Sequence, residues 1–281
     1  MRTKTTILSA VALAAGLLSA GAQVYSANVV GYYNVTIPGG NKYALLANQL
    51  INGSDANKTN NDIQVSVASG LVSSDDPFST HGTNSQYVEW NGFGYNTYYY
   101  FNAADAGVYG TTTAGPGWFD GGGTAASVSL NQGISAFLKN ASSNAITVTI
   151  VGTVRQGTGN LGTIKTNTHL YALGEPIGTN ADNTAGFGLP IASLTSSADP
   201  FSPAGGNNND TYYQWNGVGY NTFYWFNAAD AVTYGTATAG PGFFDSGGTR
   251  LDSTQTPQVG QGFLLKHIGA NIPWNISFTV Q

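Results

Sequence analysis

The chain has 281 residues, with 9 basic and 14 acidic side chains, a formal net charge of −5 and no cysteine. Only 8% of the residues are charged, whereas 12% are aromatic. The acidic balance disfavours nucleic acid and anionic membrane surfaces as partners, because both attract clusters of Lys and Arg. The lack of cysteine excludes disulfides, so each folded unit must be held together by its own core.

The first residues have the pattern of a secretory leader. A basic start at Arg2 and Lys4 precedes an apolar run over residues 7–18 and an A-x-A cleavage site that ends at Ala22. The run is too short to span a bilayer. We therefore expect residues 1–22 to be removed. We also expect the mature protein to be secreted, free outside the cell or on its surface, with no membrane span.

The mature chain contains an internal duplication. Residues 90–123 and 215–248 align without a gap and are identical at all but eight positions. Shorter motifs recur in the same order in both copies, for example SSDDPFS and SSADPFS. Two copies are too few for a solenoid. The pattern predicts two tandem repeats, residues 23–152 and residues 153–281.

Most of the mature sequence alternates between apolar and polar residues, which is the period of half-buried strands. The segments NVVGYYNVTI and AITVTIVGTV show this period, and QYVEW is joined to YNTYYYF through Asn91-Gly92. Asn-Gly pairs are typical of tight hairpins, and Asn216-Gly217 recurs at the same place in the second copy. No segment after the leader has a sustained helical period. The sequence predicts an all-β protein made of two tandem antiparallel, jelly-roll-like β-sandwich repeats.

The order of these motifs resembles that of a known group of proteins. VVGYYNV, YALLANQL, VEWNGFGY and QGISAFLK follow one another along the first copy. Functionally uncharacterised secreted bacterial tandem-repeat proteins have a VVGYxNV opening strand, a LIANPL-like strand, a WNG hairpin and a GxGFF-like strand in this order. The second copy departs by reading ALGEPIG. The resemblance implies extracellular β-sandwiches and supplies no catalytic residue.

The strand YNTYYYFN has two faces, since alternate side chains of a strand point to opposite sides. One face, YxTxYxF, is identical in both copies, and we predict that it is the core face, where shape is most constrained. The other face carries rings that differ between copies. Two interpretations of this variable face stay open: a second buried layer, or an exposed platform that binds a glycan or a protein. The candidate ligand-binding residues are Tyr98, Tyr100, Trp118, Phe223, Trp225 and Phe243.

Carboxylates recur in register at breaks in the strand pattern. Asp at such positions commonly accepts hydrogen bonds from the backbone two residues on, which is the first interpretation. The second is Ca²⁺, which binds carboxylate and carbonyl oxygens, although no EF-hand or nonapeptide calcium motif is present. The candidate calcium ligands are Asp105, Asp120, Asp230 and Asp245.

Few side chains offer catalytic chemistry. His81, His169 and His267 have no counterparts in the other copy and no metal-ligand spacing, which disfavours a zinc site. A glycosidase needs two carboxylates flanking one bond, and Glu89 is replaced by Gln214 in the second copy. We therefore predict that the protein is not an enzyme.

Three hypotheses for function follow. The first is a structural or adhesive component of the cell surface or matrix, which self-associates through edge strands that few lysines protect. The second is a carbohydrate-binding protein that uses the variable aromatic face, where two sites per chain would add avidity. The third and weakest is a secreted hydrolase with Glu89 and either Asp105 or Asp120 in one cleft.

Overall fold

The computed structural model describes most of the chain that follows the predicted leader. The predicted leader lies outside the described residues, as do His81 and His169. The described ranges are 30–48, 50, 70–75, 84–109, 116–130, 134–154, 157–164, 170–174, 189, 191–201, 208–234, 240–251 and 257–278.

The described chain is predominantly β-structure in several antiparallel sheets, which confirms the all-β prediction. The strands of the first half are β1 (Val30–Ile37), β2 (Lys42–Ala47), β3 (Gln86–Trp90), β4 (Tyr95–Phe101), β5 (Gly117–Phe119), β6 (Ala125–Ala126), β7 (Ser135–Asn140) and β8 (Ile146–Thr153). β1 and β8 form a two-stranded sheet, and the others form a six-stranded sheet in the order β2-β7-β3-β4-β5-β6.

The second half repeats this strand order. Its strands are β9 (Gly157–Ile164), β10 (Leu170–Gly174), β11 (Thr211–Trp215), β12 (Tyr220–Phe226), β13 (Gly242–Phe244), β14 (Gly262–Lys266) and β15 (Ile272–Phe278). A five-stranded sheet has the order β10-β14-β11-β12-β13, and β9 pairs with β15. β9 and β15 thus occupy the places of β1 and β8, with β9 formed by a glycine-rich segment.

The β3–β4 hairpin has the predicted Asn-Gly turn. Asn91 Oδ1 accepts hydrogen bonds from the amides of Phe93 and Gly94 at 3.0 and 2.9 Å. Gly92 has a φ of 100°, a conformation that side-chain-bearing residues rarely adopt. Gly217 takes a similar φ of 96° in the β11–β12 hairpin.

Two short α-helices were not predicted, α1 (Ala103–Tyr109) and α2 (Ala228–Tyr234). Each has seven residues, which is too short for a helical period to show in the sequence. A 3-10 helix also spans Ile191–Ser193. Within the described ranges no helix has the length and apolar character needed to cross a membrane.

The core of the first half lies between the β1–β8 sheet and one face of the six-stranded sheet. On β8 the side chains of Ile146, Val148 and Ile150 are buried, whereas those between them are exposed. Burial of one such side chain contributes about 1.5–3 kcal/mol. A separate cluster in the second half contains Ile164, Tyr212, Phe223, Trp225, Phe243, Phe263, Leu265, Ile272 and Trp274.

The two halves contact each other through the outer faces of their large sheets. Leu45 and Phe137 of the first half form one buried cluster with Leu264 of the second. The rings of Phe137 and Trp215 meet edge to face at a centroid distance of 5.2 Å. Trp215 Nε1 also donates a hydrogen bond to the Tyr43 carbonyl oxygen at 2.9 Å.

Equivalent positions of the two halves meet at this contact. Tyr95 and Tyr220, which align in the duplication, lie near each other, and burial together with the neighbouring Tyr95 phenol raises the pKa of Tyr220. Ser135 of β7 lies against Gly262, its counterpart on β14, and a Cβ atom at Gly262 would overlap the Ser135 side chain. Glycine is therefore required at position 262 for the sheets to approach this closely.

Gly262→Ala should destabilise the protein by about 1–3 kcal/mol, because the added methyl group overlaps a buried side chain. Chemical denaturation monitored by tryptophan fluorescence measures the change. The double variant Ser135→Gly/Gly262→Ala is the control, since it removes the overlapping atoms and should recover most of the loss. Equal losses in both variants would contradict this close contact.

Candidate functional site

The variable aromatic face of β4 lies in the core. β5 pairs with β4 so that Trp118 is opposite Tyr100, with ring centroids 5.7 Å apart. Only 5% of Trp118 and 8% of Tyr100 are exposed. Tyr98 is partly buried against the same cluster, and its phenol donates a hydrogen bond to Glu89 Oε1 at 3.1 Å.

The second half buries different rings in the same way. Trp225 is opposite Phe243 across β12 and β13, at a centroid distance of 5.2 Å. Phe223 stacks on Tyr212 at 5.6 Å. Phe223, Trp225 and Phe243 all have less than a tenth of their surface exposed.

These rings therefore do not form an exposed platform. A sugar stacks on a free ring face, and Tyr100, Trp118, Phe223, Trp225 and Phe243 are covered by protein. The alternative interpretation, a second packed layer, agrees with their burial. The sequence alone did not distinguish an exposed platform from a second buried layer, because both faces of β4 are rich in aromatic residues.

The prediction that the identical face of β4 is the core face is wrong for most of its length. Tyr95 is 43% exposed, and Thr97 and Tyr99 are partly buried. Only Phe101 is fully buried, in a small cluster with Phe119 and α1. Instead, part of the identical face contributes to the contact between the halves, and part supports α1.

Asn102 and Asn227 cap the two helices, and Asp105 and Asp230 accept hydrogen bonds from these caps. Asn102 Oδ1 accepts a hydrogen bond from the Asp105 amide at 2.9 Å, and Asn102 Nδ2 donates to the Asp105 carboxylate at 2.8 Å. The Ser73 hydroxyl donates to the same carboxylate oxygen. In the second half the Ser196 hydroxyl likewise donates to the Asp230 carboxylate, at 2.6 Å. Asn-Ala-Ala-Asp is thus a variant of the capping box, the sequence signal that could have revealed both helices.

Asp120 and Asp245 close tight turns after β5 and β13. Each Oδ1 accepts hydrogen bonds from the amides two and four residues on, at 2.8–2.9 Å. Turn formation therefore accounts for these carboxylates. Within the described ranges no group of three or more His, Cys, Asp or Glu side chains is placed to hold a metal ion.

His267 has a structural role that sequence reasoning missed. Its Nδ1 lies 2.7 Å from Asp210 Oδ2, and its Nε2 lies 2.7 Å from the Ala270 carbonyl oxygen. Both side chains of this ion pair are fully buried. The carboxylate also accepts from the amides of Thr195 and Ile268 at 3.0 and 2.8 Å. The pair therefore ties the β14–β15 turn to the segment that leads into β11.

The first half has two neutral residues at the equivalent positions. Asn140 stands where the second half has His267, and Ser85 stands where it has Asp210. Asn140 Nδ2 donates to the carbonyl oxygens of Ile37 and Asn144 at 3.1 and 2.8 Å. Both positions therefore differ between the halves. The second half has an ion pair there, and the first half has neutral hydrogen-bonding side chains.

The protonated form of His267 is favoured. Burial by itself lowers the pKa of the imidazole, but its hydrogen bonds to Asp210 and the Ala270 carbonyl, together with attraction by the carboxylate, raise the pKa above its usual value. Both acceptors can be satisfied only when both ring nitrogens carry protons.

The β1–β8 sheet presents two long edges. Its strands pair with each other over eight residues, and among the described strands neither has a second partner. β8 reads ITVTIVGT and β1 reads VGYYNVTI, with no charged residue and no proline. Natural edge strands are usually protected by such residues. Tyr32 and Val151, which are cross-strand neighbours, are exposed on the outer face. This sheet is the candidate interaction surface.

No family model matches the chain, and neither a curated protein nor a solved structure matches it.

The turn interpretation of Asp245 gives a first test. Asp245→Ala should cost about 1–2 kcal/mol of stability, the usual loss on removing a capping acceptor, whereas Asp245→Asn retains an Oδ1 acceptor and should cost little. Urea denaturation with and without Ca²⁺ checks this. A stabilisation by Ca²⁺ that either substitution abolishes would favour the calcium interpretation instead.

The His267–Asp210 pair should make stability depend on pH. Because the folded pKa of His267 is raised, its contribution is fully present below the unfolded pKa of about 6.5 and is lost as pH rises through the folded value. Urea denaturation between pH 5 and pH 9, compared with His267→Asn/Asp210→Ser, measures it. The double variant carries the two neutral residues of the first half and should lack this decline. The same decline in both proteins would contradict the assignment.

Proposed function

We propose that the protein is a non-enzymatic, secreted structural or adhesive component of the cell surface or extracellular matrix. In this proposal residues 1–22 direct secretion, and residues 23–152 and 153–281 form two tandem antiparallel β-sandwich repeats. The shared strand order of the two halves supports the duplication. The contact through Leu45, Phe137 and Leu264 supports their working as one unit.

The observation that carries the proposal is the uncharged, eight-residue edge of β8. An edge strand offers unpaired backbone donors and acceptors to any chain that extends the sheet. The outward side chains Thr147, Thr149 and Val151 add no charge that would repel a second copy. We therefore infer that chains assemble edge to edge through the β1–β8 sheets.

The roles of the carboxylates support a function without catalysis. Asp105 accepts a hydrogen bond from the helix cap Asn102, Asp120 closes a turn, and Glu89 accepts a hydrogen bond from Tyr98. The hydrolase hypothesis needs two of these carboxylates across one bond. Each of them instead has a structural hydrogen bond.

Concentration-dependent association of the mature chain tests the proposal. We expect sedimentation velocity to show larger species as concentration rises. Thr147→Lys/Val151→Lys should weaken association at least tenfold, about 1.4 kcal/mol, because two ammonium groups on the edge repel each other and lose solvation when a second strand pairs.

The matched control is Val108→Lys/Val232→Lys, which adds two charges at exposed positions on α1 and α2. It should associate like the parent protein. A parent chain that stays monomeric throughout would overturn the assembly proposal. Equal association of the edge variant and the parent would place the interface elsewhere.

A further inference from the structure

A pocket of about 470 Å³ lies where the two halves meet, within the size range of small-molecule sites. The first half contributes the end of β1 and the start of β2, including Lys42 and Tyr43. The second half contributes Trp215, the adjoining hairpin turn and Gln261. The pocket thus exists only when both halves are in contact.

The walls of the pocket are held by the fold itself. Trp215 is fixed by its hydrogen bond to the Tyr43 carbonyl oxygen at 2.9 Å. The turn after it is fixed by Asn216, whose Oδ1 accepts from the amides of Val218 and Gly219 at 3.1 and 2.9 Å. A rigid wall of this kind lowers the entropic cost of binding.

The chemistry of the lining is amide and aromatic. The lining residues Gln214, Asn216 and Gln261 have side-chain amides, and Trp215 and Tyr43 have rings. The Asn216 amide is engaged within its own hairpin, since its Nδ2 donates to Asn221 Oδ1 at 3.0 Å. Gln214 Oε1 accepts from Asn221 Nδ2 at 3.0 Å, which leaves the Gln214 Nε2 group without an acceptor in the described part of the chain.

The scarcity of charged residues in the lining restricts the class of ligand that the pocket could bind. Lys42 is its one Lys or Arg, and no lining residue is Asp or Glu. A divalent cation needs carboxylates, and a phosphate group is usually held by several cationic or backbone donors. A neutral ligand with hydroxyl groups on one side and C–H groups on the other matches amides beside rings. We propose that this pocket binds one or more residues of a neutral glycan.

This pocket differs from the aromatic face discussed above, whose rings are buried. It also lies apart from the outward side chains of β8, so the inference does not rest on edge-to-edge assembly. The first half has Glu89 where the second half has Gln214, and Glu89 is not part of the pocket lining. The duplication therefore supplies a matched pair of positions, one inside the pocket and one outside it.

Binding can be measured on the mature chain by isothermal titration with neutral cello-, manno- and xylo-oligosaccharides, with tetragalacturonate as an anionic probe. We expect a dissociation constant below about 1 mM for at least one neutral probe. Gln214→Glu should weaken that binding about tenfold, because it replaces an amide donor with a carboxylate while keeping the Oε1 acceptor for Asn221.

Glu89→Gln is the control and should bind like the parent protein. The edge variant Thr147→Lys/Val151→Lys should also bind normally, which separates this inference from the proposed assembly. Absence of binding to every neutral probe at about 1 mM would overturn the proposal. Binding of the anionic probe alone, or equal binding by Gln214→Glu, would overturn it as well.

Discussion

The close contact at Gly262 governs how the two halves of the chain are joined. The absence of a side chain lets β14 approach Ser135 of β7, and this brings Trp215 within hydrogen-bonding distance of the Tyr43 carbonyl oxygen. The buried cluster of Leu45, Phe137 and Leu264, named above, surrounds the same contact. With no disulfide in the chain, the relative position of the halves depends on packing and a few hydrogen bonds. The pocket at the junction is a direct consequence of this arrangement.

Much of the strand architecture could be predicted, because its signals are local. Alternation marks β1 and β8, and the pair Asn91-Gly92 marks the β3–β4 hairpin through the positive φ that glycine permits. The aromatic faces were assigned wrongly for a non-local reason. The β1–β8 sheet covers one face of β4, whereas α1 and the other half of the chain cover parts of the second face. Residue identity between copies cannot distinguish a core from such a contact, since both constrain shape.

The polar interactions show the same division between local and distant signals. Asp120 bonds to amides within four residues of itself, and Asp105 bonds to Asn102, three residues away, as well as to the more distant Ser73. These interactions recur in the second half. His267 and Asp210 are 57 residues apart, and their counterparts are Asn and Ser. A buried ion pair that loses one partner leaves an uncompensated charge, at a cost of about 3–5 kcal/mol. Such positions must therefore change together, which hides them from a search for residues shared between the copies.

Duplication followed by divergence explains why a chain of two similar halves has a pocket of its own. The junction itself is not symmetric in chemistry, because Trp215 Nε1 donates to the Tyr43 carbonyl oxygen and Ser135 of the first half faces Gly262 of the second. The residues around it differ as well, since Gln214 lines the pocket and its counterpart Glu89 does not. A carboxylate in the pocket would need a cation or a hydrogen-bond donor to offset its desolvation, whereas an amide offers a donor at little cost. Lys42 of the first half is the one Lys or Arg in the lining, and the second half contributes only uncharged residues to it.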